Sequence, residues 1–281
     1  MNIQTQRAKA EAFHKLHQTG NTLVLPNIWD PLGAALLESL DYPAVATASA
    51  AIAYTNGYAD GENIPFNDLI TIVKKITGKV SVPVTVDIES GYAKTNETLE
   101  SNIRRLIIAG AVGINIEDFD RTTNTLFPVD IQCKKIKLIK QTATEMGISL
   151  FINARTDVYV KGYDWVTPED KYAETIKRGN AYINAGANCF FPLFMKERSC
   201  LERLIKELLC PVNVLYVPGV PDIQILRNIG VTRVSLGPGF LKTALRAMKQ
   251  TAQKLKNFEG FDEIVNNEVT SDFVSGLVNK A

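Results

Sequence analysis

The stretch VPVTVDIESGYA, residues 82–93, decides how the chain is read. An apolar strand ends in two carboxylates one residue apart, Asp87 and Glu89, and the chain then turns at Gly91. Side chains alternate across a strand. The parity that carries Thr85 therefore also carries Asp87 and Glu89, while Val84, Val86 and Ile88 take the other face. Two negative charges on one side of a strand end repel each other, so the pattern asks for a cation between them or a proton on one of them. Catalytic groups at the C-terminal ends of parallel strands are the habit of α/β barrels.

Working outward, seven further strand-like runs flank this one: 22–27, 44–49, 112–117, 150–155, 188–194, 212–218 and 233–238. Helical segments lie between them. DPLGAALLESL begins with Asp30 as N-cap and Pro31 at the first helical position. NETLESNIRRLIIAG and SCLERLIKELL carry helical apolar spacing. The junctions AGAVG, AGAN and IGVTR are small-residue turns. Strand–helix alternation repeated eight times predicts an α/β fold with a parallel sheet, closed into a (β/α)8 barrel. An open doubly wound sheet is the alternative, but its G-x-G-x-x-G fingerprint is absent after the first strand. No linker divides the chain, so residues 1–281 are read as one barrel domain. Residues 258–281 form an additional C-terminal helical segment that barrel closure does not need.

The 281 residues carry a formal net charge of +1, which gives no support for nucleic-acid or membrane binding. No apolar run approaches the roughly 20 residues that cross a bilayer. The polar, helix-like start reads as no signal peptide. The four cysteines show no paired spacing and are read as free thiols in a reducing cytoplasm.

The parity found at residues 82–93 recurs. Thr47 and Ser49, then Gly113, Asn115 and Glu117, then Asn153 and Arg155, and Asn213 on the seventh strand, all alternate with apolar neighbours. Small and polar residues on the inward parity predict a wet pocket at the barrel mouth, where a structural interior would hold Val, Ile and Leu. Asp87, Glu89 and Glu117 converge there, joined by Asp60 from the loop after strand two, with Arg155 as one fixed positive charge. Hard carboxylate oxygens without imidazole or thiolate select Mg²⁺, with Mn²⁺ possible. Asp87 is the expected direct ligand, with Glu89 and Glu117 on metal-bound waters. The only histidines, His14 and His17, are read as surface residues of the first helix, which leaves no zinc site and no Ser–His or Cys–His pair. Cys133 is read as a plain helix residue, and Asp118 and Asp157 as rim salt-bridge residues. The GPG at 237–239 is read as a turn rather than a phosphate site.

LPNIWDPLGAALLE, ATASAAIAYTNGYADGE, PVTVDIESGYA, GINIEDF, INARTDVY, GANCFFP and VNVLYVPGVPDIQILRNIGVTRVSLGPG occur in that order between about residues 20 and 250. With these motifs the chain resembles the isocitrate lyase/phosphoenolpyruvate mutase superfamily, in particular its mutase-like branch. The resemblance implies a (β/α)8 barrel whose eighth helix is swapped between subunits of a homodimer or homotetramer. It implies Mg²⁺ at Asp87 and Glu89, with Glu117 in support. It implies a pocket for a 2-oxo acid or phosphonate at Ser49 and the amides of Ala50 and Ala51, with Arg155, Asp60 and Asn213 around it. The loop after strand four departs from the lyases, which carry Cys-Gly-His there. Here it reads DFDRTTNTLFPVD, and Thr123, Asn124 and Thr125 partly echo the mutase motif Lys-Thr-Asn-Ser. Asn124 is either a substrate contact or a turn residue.

The expected function is a Mg²⁺-dependent lyase, phosphonomutase or hydrolase that makes or breaks a C–C or P–C bond next to a 2-oxo acid, through a metal-stabilised enolate. Two alternatives stand beside it. One is a non-catalytic metabolite-binding protein. The other is a Schiff-base aldolase, for which Lys161 and Lys196 lie beyond their strands.

Overall fold

The computed structural model describes residues 2–18, 20, 22–160 and 167–279. Helix α1 (Ile3–Leu16) precedes a first stave split into β1 (Leu23–Leu25) and β2 (Asn27–Ile28). The split falls at Pro26, which has no N–H to give to a ladder. Then follow α2 (Pro31–Ser39), β3 (Val45–Thr47), α3 (Ser49–Thr55), α4 (Phe66–Lys79), β4 (Val84–Asp87), α5 (Asn96–Ile108) and β5 (Gly113–Glu117). A hairpin of β6 (Phe119–Asp120) and β7 (Thr125–Leu126) leads into α6 (Val129–Glu145) and β8 (Phe151–Thr156). The second half runs α7 (Pro168–Asn184), β9 (Cys189–Pro192), α8 (Arg198–Leu208), β10 (Asn213–Leu215), α9 (Ile223–Asn228) and β11 (Arg233–Ser235). It ends with α10 (Gly239–Leu255), α11 (Phe261–Val265) and α12 (Ser271–Asn279).

All staves are parallel and the ring closes. The order β2-β3-β4-β5-β8-β9 is joined to β10 by a Phe190–Val212 bridge, and β10-β11-β1 returns to the start. This is the expected (β/α)8 barrel. The strands are shorter than the runs that predicted them, because several residues of those runs lie in mouth loops. Ser49, read as a strand end, instead starts α3.

The helices form where the sequence placed them. Asp30 Oδ1 accepts from Gly33 N at 2.6 Å, with Pro31 in the first turn of α2. Leu69, Val73 and Ile76 of α4 are buried at helical spacing. Outward residues Val86, Ile114, Ile152 and Ala154 are buried against this helical layer. Inside the barrel, Asn115, Asn153 and Asn213 are buried and polar.

Helix α1 closes the N-terminal end of the barrel. Gln6 Nε2 donates to Ile107 O at 2.7 Å and Ala111 O at 3.0 Å, and Phe13 is buried against Phe151. A Cβ at Gly113 would lie 2.9 Å from both Phe13 Cε1 and Thr85 Oγ1, so only glycine lets the plug seat. The surface reading fails for His17. It is 3% exposed, stacked on Phe151 with ring centroids 4.0 Å apart. An aromatic plug packs better there than a hydrated imidazole. His14 stays partly exposed, its Nε2 3.0 Å from Ser149 O.

In the C-terminal extension, α12 packs on α2 of the same chain and buries Leu277. No helix of the described residues is long and apolar enough to cross a membrane.

Candidate active site at the barrel mouth

A cavity of about 280 Å³ opens at the C-terminal ends of the staves. Asp60, Asp87, Asn115, Arg155, Ser49 and the backbone of Ala50 are in its wall, with Asn27, Ser235 and the Phe191–Phe194 turn. Asp87 ends β4 at the parity expected. Its Oδ2 accepts from Ser49 Oγ at 2.9 Å, and its own N–H donates to Thr47 Oγ1 at 3.0 Å. Helix α3 starts at Ser49 without a side-chain cap. The first amides of a helix have no intrahelical acceptor, so those of Ala50 and Ala51 are available to a bound anion.

Strand parity breaks at Glu89. The strand stops at Asp87 and Glu89 adopts φ +51°, which turns its carboxylate away from the cavity. Glu89 Oε2 accepts from Glu62 N at 2.8 Å and Arg121 Nη2 at 2.7 Å, and Oε1 accepts from Tyr92 OH at 3.0 Å. Glu62 replies by accepting from Ser90 N and Tyr92 N, both at 2.9 Å. This reciprocal clasp fixes the loop that carries Asp60. The same Arg121 Nη2 lies 2.8 Å from Glu117 Oε1. Gly61, at φ +109°, admits the guanidinium, because a Cβ there would meet Arg121 Nη1 at 2.8 Å.

Glu117 is fully buried at the end of β5. Its second oxygen lies 2.8 Å from Arg155 Nη1, at an angle that makes this an ion pair rather than a hydrogen bond. Arg155 is also held by Asp157, Nε to Oδ1 at 2.5 Å and Nη2 to Oδ2 at 2.7 Å. Asp157 and Asp118 are therefore not rim residues. Asp118 is fully buried and takes Arg178 Nη1 at 3.0 Å, Tyr182 OH at 2.7 Å and Thr156 Oγ1 at 2.6 Å, anchoring the base of the β6–β7 hairpin.

Burial pushes the Glu89 carboxyl up to about 7, against the opposing pull of its hydrogen bond from Glu62 N and of Arg121. Burial also raises Glu117 well above the usual carboxylate range, although Arg155 opposes it. Asp60 is raised by burial and then by the charge of Asp87.

Two expected site residues lie elsewhere. Asn124 sits in the turn between β6 and β7 at φ +56°, exposed and outside the cavity wall. The hairpin needs a left-handed residue there, which asparagine tolerates better than most side chains. Asn213 is fully buried below the wall, paired with Ser235 Oγ at 3.1 Å. Ala51 is buried and offers only its backbone. Lys196 donates to Pro218 O at 2.9 Å, outside the cavity wall, and Lys161 lies outside the described residues. Cys133 is a helix residue of α6 whose Sγ meets Ala181 O at 3.4 Å.

Arg121, Asn27 and Arg233 are not among the site residues expected from the sequence. Asn27 was accessible to the parity rule, as the polar end of the first stave. Its Oδ1 accepts from Leu236 N at 2.8 Å and Gly237 N at 3.0 Å, so Gly237 and Pro238 form a turn and Gly239 opens α10. Arg121 had one signal, its i, i+4 spacing from Glu117.

Among the described residues no three of His, Cys, Asp or Glu converge as a ready metal cage. The donors do fit a hard cation that keeps water. Asp60 and Asp87 share the cavity wall close enough for one charge to raise the other's pKa. Mg²⁺ takes one or two carboxylates and several waters. Glu89 and Glu117 are engaged by arginines.

Residues 13–256 match the family described as phosphoenolpyruvate phosphomutase. The chain is 32% identical over 248 residues to the uncharacterized protein Rv1998c of Mycobacterium tuberculosis, covering 88% of this chain and 90% of that one. It is 26% identical over 216 residues to 2-methylisocitrate lyase of Bacillus subtilis, covering 74% and 67%. A crystal structure of a Burkholderia cenocepacia J2315 protein, provisionally assigned as a phosphonomutase, superposes with a TM-score of 0.83 at 34% identity, over 90% of this chain and 99% of that one.

Proposed function

This chain belongs to the phosphoenolpyruvate phosphomutase family, and on that premise we propose that it makes or breaks a C–C or P–C bond next to a small 2-oxo acid, with Mg²⁺ at Asp87 and Asp60. The observation that carries this reading is the convergence of Asp60, Asp87, Arg155 and the uncapped start of α3 on one cavity.

A divalent ion held by Asp87 would supply Lewis-acid stabilisation of charge developing on the C2 oxygen of the substrate. The chain's own groups do the rest. Ser49 Oγ orients Asp87, and the amides of Ala50 and Ala51 receive the substrate carboxylate. Asp60 stands in the wall beside Asp87, and burial and then the charge of Asp87 raise its pKa, so a divalent ion between the two would relieve their repulsion. Arg155, locked by Glu117 and Asp157, places a fixed guanidinium edge in the wall. Such preorganised groups need no reorganisation as charge moves. Glu89 and Glu117 serve as acidic support behind the wall rather than as direct ligands.

A second reading, binding without turnover, draws on the same hairpin. It carries neither Cys nor His, and Asn124 is in its turn.

The test is calorimetric titration of Mg²⁺ into the wild type and Asp87→Ala, with turnover assays on a panel of 2-oxo acids and phosphonates. Loss of Mg²⁺ uptake in the variant, with turnover by the wild type, is the expected result. Undiminished uptake would defeat the metal assignment. Tight binding without turnover anywhere in the panel would favour the second reading.

A further inference from the structure

Arg233 opens β11 inside the barrel and is fully buried. It makes no ion pair with any described residue. Its hydrogen bonds are long: Nε to Ser235 Oγ at 3.3 Å and Nη2 to Asn115 Oδ1 at 3.4 Å. Nη1 has no partner at all. A guanidinium has five N–H donors, so most of this one's capacity is unmet. Nor do its neighbours depend on it. Asn115 Oδ1 already accepts from Asn153 Nδ2 at 2.8 Å, and Ser235 Oγ is paired with Asn213.

A buried charge without an ion-pair partner costs stability, and two long hydrogen bonds return little of that cost. Its place does. Asn115 and Ser235, its two contacts, are both in the cavity wall. The arginine that does stand in the wall, Arg155, is matched by Glu117 and Asp157. The field of Arg233 therefore reaches the cavity through a low-dielectric floor, opposed only at a distance by Asp87 in the wall, with which it makes no ion pair.

We propose that Arg233 is the buried positive pole of the cavity and that it selects small dianions, a dicarboxylate or a phosphono-oxo acid, over monoanions of the same shape. This deepens the proposed function and rests on the cavity being an oxo-acid site. Arg233 acts through the floor and is a positioning and selectivity residue, not a catalytic one.

The probes are oxalate and oxamate, near-isosteres with charges of two and one. Their dissociation constants are measured calorimetrically with the full chain in saturating Mg²⁺, for the wild type, Arg233→Met and Arg233→Lys. A dianion feels twice the Coulomb energy of a monoanion, so its loss should be the square of the other's. The expected losses in Arg233→Met are about five-fold for oxamate and about twenty-five-fold for oxalate. Arg233→Lys keeps the charge and should restore most of both. The thermal midpoint of Arg233→Met should equal or exceed that of the wild type, because no buried partner is orphaned. Equal losses for both anions, or a lowered midpoint, would make Arg233 a structural brace and overturn the proposal alone. A wild type that binds neither anion would overturn the proposed function together with it.

Discussion

Arg121 ties the acidic support behind the cavity wall to the loop that carries Asp60. One nitrogen of a side chain about one-third exposed serves two carboxylates that are almost wholly buried. Strand parity brings Glu117 to the right place, and its negative charge calls for a cation. The partner came from a loop, and loop partners are set by closure in three dimensions rather than by spacing. Replacing Arg121 with Met should destabilise the fold by about 1–3 kcal/mol at pH 7.5, less than for a fully buried pair because solvent already screens the guanidinium. The pH dependence has a definite sign. The carboxyl of Glu89 is raised from 4.5 to about 7 in the folded state. Its ionisation therefore costs stability progressively as pH rises from about 4.5 through 7. Without Arg121 that cost grows, so the gap between wild type and variant in urea unfolding should widen from pH 5.5 to pH 8. A gap that narrows would mean that Arg121 does not hold Glu89.

Among the elements, parity was reliable only while the strand lasted. Thr85, Asn115 and Asn153 point inward as expected because β4, β5 and β8 are regular through those positions. Glu89 lies beyond the last ladder pair of β4 and follows turn geometry instead. Helix α1 was legible as a helix, but not as a plug. The signal was Gly113, whose missing side chain leaves room for Phe13, and no periodicity announces a cross-barrel contact. Gly113→Ala should cost roughly 1–3 kcal/mol by overpacking against Phe13 and Thr85. His17 gives the plug an acid limit. Burial, and then the charge of Arg233, lower its pKa from 6.5 to about 3. A depressed base contributes stability that is full above 6.5 and is lost as pH falls toward 3. The unfolded state gains about 2 kcal/mol from protonating this histidine at pH 5. His17→Phe should thus lose less of its thermal midpoint between pH 7 and pH 5 than the wild type. An identical acid profile for the two proteins would show that His17 does not set the limit.

At the scale of the whole molecule, eight strand–helix repeats made the barrel readable, because each repeat states the same parity and the same turn. Association is not written in that code. The C-terminal helices expose apolar side chains that the barrel does not cover: Leu245, Met248, Val265 and Phe273 are 51%, 66%, 78% and 42% exposed. Exposed apolar side chains that group on a surface mark contact sites, and these four are carried by α10, α11 and α12. The expected homodimer or homotetramer offers them a cover, a second copy of the chain, with or without exchange of a helix. Met248→Glu with Val265→Glu places charge on that surface without touching the core, since neither side chain is buried. Analytical ultracentrifugation should show the wild type as a dimer or tetramer at micromolar concentration and the double variant shifted at least ten-fold toward monomer, with an unchanged thermal midpoint at low concentration. A wild type that sediments as a monomer would leave this apolar face without the partner assigned to it.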